Sequence, residues 1–385
     1  KRTPHGSWDS QTIFKHTKTI YMERKKNISR RDFFKVIGAT GIATAGLTGF
    51  RLPERIADTN LSLDKSAITR RTHPRNGDQI SLLGYGCMRW PTLSKPGDKE
   101  VVIDQEAVNR LVDHALESGL NYFDTSPIYQ ERKSEPATGL ALSRHPRDSY
   151  FIATKMSNHH IDRAGITGKA FVDASKEMYR NSFKNLRTDY IDYYLMHNIG
   201  TTGGWPLFQR RFLDSGILDF LLEERAAGRI RNLGFSFHGE IKTFEYMMEH
   251  NDRLKLDFAQ IQMNYVDYRH ATGWNTNAEY LYTELEKQGI PVVIMEPLRA
   301  GKLANLPEPL AKRLKQAEPD RSVASWAFRF AGSFPRVMTV LSGMTYMEHL
   351  QDNLRTYSPL RPCSKQEFDL LEEIATEYAK TDNPK

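Results

Sequence analysis

Residues 122–130 read "YFDTSPIYQ". An apolar, strand-like segment ends in a carboxylate, Asp124, a proline-containing turn follows, and a phenol, Tyr129, arrives five residues after the aspartate. A strand that ends in a charge calls for a fold in which strand ends meet at a polar site. The same pattern recurs along the chain. "YFIATKM" (150–156) carries Lys155 near its end, and "YIDYYLMH" (190–197) ends in His197. Five further apolar runs, "SLLGYGCM" (81–88), "IRNLGFSF" (230–237), "FAQIQMNY" (258–265), "PVVIMEP" (291–297) and "RVMTVLSGM" (336–344), bring the count to eight. Their Val, Ile, Tyr and Phe content and their Gly, Pro and Asn punctuation are those of strands.

Helical periodicity lies between the runs. "EAVNRLVDHALESG" (106–119) places Val108, Leu111, Val112, Ala115 and Leu116 on one stripe. "TNAEYLYTELEKQG" (276–289) and "SVASWAFRFAG" (322–332) behave alike, each ending at a glycine suited to the position after a helix. Strands alternating with helices predict parallel pairing with every strand buried. Eight such units predict an α/β fold, a (β/α)8 TIM barrel forming one catalytic domain. An open doubly wound sheet is the competing arrangement. Against it, no G-x-G-x-x-G follows the first strand, where "LGYGCM" has only the first two glycines.

In such a barrel the C-terminal strand ends share one face. Asp124, Tyr129, Lys155 and His197 would then meet there. Asp124 pairs with Lys155, because a buried charge needs a partner. The lysine cation stabilises a tyrosinate and lowers the pKa of Tyr129, which makes the phenol a usable general acid. Taken singly, an Asp at a strand end is an ordinary cap or salt bridge and a His after "YYLM" an ordinary core residue. It is the four in register on consecutive strands that point to chemistry.

Charge is unevenly placed. Residues 1–75 hold 16 Lys/Arg against 6 Asp/Glu, and the rest 38 against 41, so the body is nearly neutral and presents no basic face for nucleic acid. The two cysteines, Cys87 and Cys363, form no C-x-x-C and no disulfide framework, and no metal site is expected. Residues 22–50 begin with basic residues, continue "SRRDFFK" (29–35) and run on in Gly and Ala to Phe50. This is the layout of an export signal, too short and too rich in Gly and Thr for a transmembrane helix. It resembles a twin-arginine (Tat) signal, S-R-R-x-F-[FL]-K, of the route that exports folded proteins. The expected organisation is an extra N-terminal segment at 1–21, a Tat-type signal at 22–50, a linker at 51–78, the barrel at 79–357, and a C-terminal helix and tail at 358–385 with Ser364 as N-cap. Export through the Tat machinery, to a periplasmic or signal-anchored location, is the matching expectation.

From 79 to 357 the sequence resembles the aldo/keto reductase family. "FDTSPIY" resembles its Asp-to-Tyr motif, "ATKMS" its strand-3 lysine segment and "DYIDYYLMHN" its histidine segment. The resemblance implies reduction of aldehydes and ketones, or the reverse oxidation of alcohols, with NADPH or NADH and no metal. Tyr129 would protonate the carbonyl oxygen, Lys155 would tune the tyrosine, Asp124 would hold the lysine and His197 would orient the carbonyl. By the same resemblance Ser236 and Gln260 would hold the nicotinamide carboxamide. Phe237 stands where the family has an asparagine, with His238 beside it. Met295 stands at the ring-stacking position. Pro297, Leu298, Ala300, Gly301 and Lys302, in "IMEPLRAGKL", would form the pyrophosphate loop. Gly343, Asp352 and Asn353, in "LSGMTYMEHLQDNL", would form the adenine segment, and Gly343 and His349 stand where the family places 2′-phosphate cations. Trp205, Tyr268 and Trp274 are either substrate-pocket walls or loop anchors.

One branch of the family joins a Tat signal, this barrel and a cysteine-rich ferredoxin-like tail; "GFSFHG" and "LSGMTYMEHLQDNL" resemble that branch. Cys363 alone cannot ligate a four-cysteine cluster. Two other roles therefore stand beside the enzyme: an exported cofactor-binding subunit without turnover, and an electron-transfer unit with an iron–sulfur partner.

Overall fold

The computed structural model describes residues 64–382 except 96, 99, 202 and 274. The extra N-terminal segment, the Tat-type signal, the first part of the linker and Trp274 lie outside the described residues.

Eight parallel strands close into a barrel: β3 (Leu83–Gly86), β4 (Tyr122–Asp124), β5 (Phe151–Met156), β6 (Ile191–Ile199), β7 (Ile230–Phe237), β8 (Phe258–Gln262), β9 (Val292–Met295) and β10 (Val337–Ser342), with β10 pairing back onto β3. Each of the eight falls on one of the apolar runs, and helices separate them, as the alternating pattern requires.

A hairpin, β1 (Arg70–Thr72) with β2 (Gln79–Ser81), precedes the barrel. Residues 70–78 are thus hairpin rather than the linker expected for them. Three-residue polar strands carry no apolar period that would announce them in the sequence. The hairpin closes the barrel floor. Ile80 joins Tyr122, Ala153, Tyr193, Leu195, Phe258, Val293, Met338 and Leu341 in an interior cluster, and the Tyr193 hydroxyl donates to Asp78 Oδ2 at 2.7 Å. Space inside is tight: a Cβ on Gly84 would stand 2.7 Å from Thr339 Oγ1. The larger core fills the layer between strands and helices.

The helix Gln105–Glu117 buries all five residues of its stripe, and Gly119 follows in the left-handed region at φ 89. Gly289 does the same after Ala278–Lys287, with φ 66. Gly332 does not end its helix in that way. It lies inside Val323–Gly332, where a Cβ would come within 2.8 Å of Tyr357, so close packing explains the glycine. Ser364 opens Lys365–Asp382 with a capping box: its Oγ accepts from the Glu367 N–H at 3.3 Å and Glu367 Oε2 accepts from the Ser364 N–H at 2.7 Å. Buried Arg329 ties this helix to the barrel, donating to Glu318 and Glu367 at 2.8 Å each. Among the described residues no helix is long and apolar enough to cross a membrane.

Candidate active site

Parallel register brings the chemistry together. Asp124 ends β4, Lys155 lies one residue before the end of β5, and His197 lies on neighbouring β6. Tyr129 opens the short turn Tyr129–Arg132 after β4, where Gln130, Glu131 and Arg132 all have positive φ. The Tyr129 ring lies over the strand ends, beside Lys155.

Lys155 Nζ donates to Asp124 Oδ1 at 2.6 Å and to the Thr125 carbonyl at 2.7 Å, and lies 4.9 Å from the centroid of the Tyr129 ring. The lysine has no exposed surface. Burial opposes its charge, yet Asp124 and Tyr129 hold its pKa above the ordinary lysine value. Burial likewise pushes the Asp124 carboxyl upward while Lys155 pulls it back. Tyr129 departs from expectation. Burial raises its pKa above 10, and the nearby Lys155 offsets part of that rise without reversing it. The resting phenol is therefore protonated, and the lysine limits what its ionisation costs.

The His197 ring stands 6.0 Å from that of Tyr129, nearly perpendicular to it. Its Nδ1 is 2.6 Å from Ser157 Oγ, which is 2.8 Å from Ser126 Oγ. Burial first, then the charges of His159, Lys155, Arg211 and His238, hold its pKa well below 6.5, so the ring is neutral. Both serines escaped sequence reading, since small hydroxyls after a strand are commonplace.

Of the expected cofactor residues, Ser236 and Gln260 lie on strands, residues 297–302 follow β9, Gly343 follows β10, and Asp352 and Asn353 lie in the helix Met347–Tyr357. Ser236 on β7 pairs in register with Gln260 on β8, and Gln260 Nε2 lies 3.5 Å from Met295 Sδ on β9. Ser236 Oγ accepts from the Asn198 N–H at 2.8 Å. The side-chain carbonyls of Gln260 and Asn198 are buried without a hydrogen-bond partner. Buried polar atoms are normally satisfied, so two orphaned acceptors beside one hydroxyl fit a ligand carboxamide. Asn198 also was missed; its mark is a left-handed backbone, φ 58. Phe237 packs on Phe244 at 5.3 Å, so it contributes to the core. In the next loop Pro297 is buried, and Arg299, Ala300 and Gly301 are all left-handed, ahead of the short turn starting at Lys302. Such turns can converge backbone N–H groups on an anion, although the Ala300 N–H already donates to Glu296 Oε2 at 2.6 Å. Gly343 packs against the Arg89 stem. Asp352 accepts from Ser322 Oγ at 2.5 Å, and Asn353 donates to Ser342 Oγ at 3.0 Å.

Trp205 packs on Tyr246 at 5.0 Å and Phe208 at 5.8 Å, and Tyr268 on Phe334 at 5.2 Å and Phe330 at 5.6 Å. Of the two readings left open for them, these contacts are those of loop anchors. Cys87 and Cys363 are free and buried, and among the described residues no cluster of His, Cys, Asp or Glu could hold a metal.

A parallel barrel with a buried Lys–Asp pair, a protonated tyrosine and a neutral histidine at its C-terminal mouth has the groups needed to move a proton to or from an oxygen. The model of the aldo/keto reductase family matches residues 82–376. The chain belongs to that family and is by kind an oxidoreductase working with a nicotinamide cofactor. It is similar to the uncharacterized oxidoreductase YqkF of Bacillus subtilis, 26% identical over 73% of this chain and 89% of that protein. It is also similar to L-galactose dehydrogenase of Arabidopsis thaliana, 24% identical over 79% of this chain and 93% of that protein. Among solved structures, aldo-keto reductase AKR11C1 of Bacillus halodurans in its holo form aligns with TM-score 0.59 at 22% identity, covering 80% of this chain and 96% of that one. An aldo/keto reductase of Klebsiella pneumoniae in complex with NADP and acetate aligns with TM-score 0.60 at 18% identity, over 80% and 96%.

Proposed function

We propose that this protein interconverts a carbonyl compound and its alcohol with NADPH or NADH, Tyr129 serving as the general acid. The observation that carries the reading is the convergence of Tyr129, Lys155, Asp124 and His197 beside the unpartnered carbonyl of Gln260. Ser236, Gln260 and Asn198 would hold the nicotinamide carboxamide, with Met295 packing on the ring through its polarizable sulfur. When bound there, the reduced nicotinamide would supply the hydride that the carbonyl carbon accepts.

The chain's own groups handle the proton. With the Ser157 hydroxyl donating to Nδ1 of the neutral His197, the other ring nitrogen would carry the proton and donate to the carbonyl oxygen. Tyr129 gives its proton to that oxygen, so the substrate leaves as an alcohol. Lys155 stabilises the resulting tyrosinate through its charge, and Asp124 keeps the ammonium in place. Water then returns a proton to Tyr129. Oxidation of an alcohol runs the same transfers backwards.

The test is a fluorescence titration of the chain from about residue 64 onward with NADPH and NADH, beside Tyr129→Phe. Binding by both proteins, with aldehyde-dependent cofactor oxidation in the parent alone, supports the reading. Absence of nucleotide binding would sink it. The Tat-type pattern at 29–35 adds export to the proposal. Replacing Arg30 and Arg31 with Lys in the full chain should strand it in the cytoplasm, and unchanged fractionation would overturn that part.

A further inference from the structure

One side of the mouth gathers more cations than carboxylates. It is built by the segments after β4, β5 and β6. Arg211 is 1% exposed, yet its guanidinium meets only neutral oxygens: Asn158 Oδ1 and the His197 carbonyl, both at 2.9 Å, and the Asn198 carbonyl at 3.5 Å. Buried charges ordinarily have an opposite charge against them.

Two more guanidinium groups lie at the surface of these segments, and both act with Arg211 on the His160 ring. Arg132 follows Tyr129 in its turn, and Arg163 ends the helical turn His159–Arg163. Both are exposed and make no ion pair among the described residues. His159 in that turn is 6% exposed, with its ring 5.2 Å from His197 and 4.7 Å from His160, and its Nδ1 has no partner. Burial and then Arg211, His160 and Arg163 push the His159 pKa down to about 2. Burial and then Arg163, Arg132 and Arg211 also lower that of His160. No carboxylate acts on either ring.

The acids of these segments are engaged elsewhere. Asp162 holds Arg210 at 2.7 Å and reaches Arg211 only through its field, Asp124 holds Lys155, and Glu131 accepts from the Val101 N–H at 3.3 Å. Glu296, on the opposite side, faces Tyr129 and accepts from the Ala300 N–H. A carbonyl positioned between Tyr129 and His197 would lie beside this cationic side, because the His159 ring is 5.2 Å from that of His197.

We propose that the site is built for carbonyl substrates bearing a carboxylate, with Arg132 and Arg163 meeting the anion at the rim while buried Arg211 fixes a positive field behind His197. The proposal rests on the reductase reading above and adds the substrate class. Arg211 has no exposed donor to offer a ligand, so it acts through its field, whereas the two rim arginines make contact.

The experiment compares 4-carboxybenzaldehyde with its neutral counterpart, methyl 4-formylbenzoate, using the protein and NADPH. At about 0.01 M salt, where charges act over roughly 30 Å, kcat/KM for the acid should exceed that for the ester about tenfold. At about 1 M salt the preference should shrink toward parity. The double variant Arg132→Gln/Arg163→Gln should cut the acid-to-ester ratio about fivefold or more, through KM. A ratio near one in the parent, or a preference that salt and the variant both leave intact, overturns the proposal. If neither aldehyde turns over, calorimetric binding of 4-(hydroxymethyl)benzoate against its methyl ester decides. Tighter, salt-sensitive binding of the acid upholds the anion site while the reductase reading fails. Equal affinities overturn the anion site by themselves.

Discussion

The Lys155 ammonium stands 2.6 Å from Asp124 Oδ1, with both groups closed off from solvent. A buried pair of this kind contributes little net stability but is costly to break. Lys155→Met leaves a lone buried carboxyl and should cost about 3–5 kcal/mol in urea unfolding. Lys155→Met/Asp124→Leu should recover most of that loss, and neither variant should reduce an aldehyde. A single variant as stable as the parent would contradict this account of the pair.

Tyr129→Phe should lower kcat for carbonyl reduction by about 10²–10⁴-fold, with the NADPH dissociation constant essentially unmoved. Because the phenol titrates above its ordinary value of 10, it stays protonated through neutral pH. Reduction by the parent should be flat from about pH 6 to 9, while alcohol oxidation, which needs the tyrosinate, should climb across the same range. An oxidation rate independent of pH would remove Tyr129 from the proton transfer.

Gln260 carries an unsatisfied buried carbonyl. Gln260→Leu discards that acceptor and should leave thermal stability equal or higher. It should also weaken nucleotide binding about tenfold, the value of roughly one lost hydrogen bond. Melting curves and fluorescence titrations of the same preparation check both halves. A variant that loses stability and keeps its affinity would show the side chain to be structural.

Burial also governs the acid response. His159 and His238 are held down to about 2 and about 4, and His197 well below 6.5, with desolvation the leading cause in each. These bases are neutral when folded but take a proton near pH 6.5 when unfolded. Their stabilising effect is thus full above about pH 6.5 and is lost as pH falls below it, at up to about 1.4 kcal/mol per pH unit for each. Asp124, Asp192 and Glu135, whose pKa values are raised, bind protons earlier when folded and work against that loss at lower pH. Urea midpoints should fall from pH 7 to 5, and His159→Gln should flatten the fall. A midpoint constant over that interval refutes the assignment.

The barrel and its strand-end residues could be read from the chain because both follow from simple periodicity. Eight apolar runs interrupted by helices leave few topologies, and a charge at the end of such a run is conspicuous. Features that depend on tertiary contact were opaque. The strand Arg70–Thr72 is polar and short and becomes regular only through pairing with Gln79–Ser81. Gly332 looks like a helix end until Tyr357 is placed against it. Arg211 sits in the helical turn Gln209–Asp214 among several charges, and nothing in that sequence tells that it is sealed inside on neutral oxygens. The pKa of Tyr129 was misjudged for the same reason, since Lys155 is visible in the chain and the depth of burial is not.

Closure of the barrel has a consequence for how the molecule is made. Consecutive strands from β3 to β9 pair with their successors, so Asp124, Lys155 and His197 come together through contacts between adjacent units. The final seam joins Val340 to Leu83, residues 257 positions apart. Loop closure over that span is slow compared with local pairing. The proton-transfer half of the site can therefore assemble early in refolding, whereas the segment around Gly343 is completed last. Competence to bind the whole nucleotide should trail the formation of the Lys155–Asp124 contact in time.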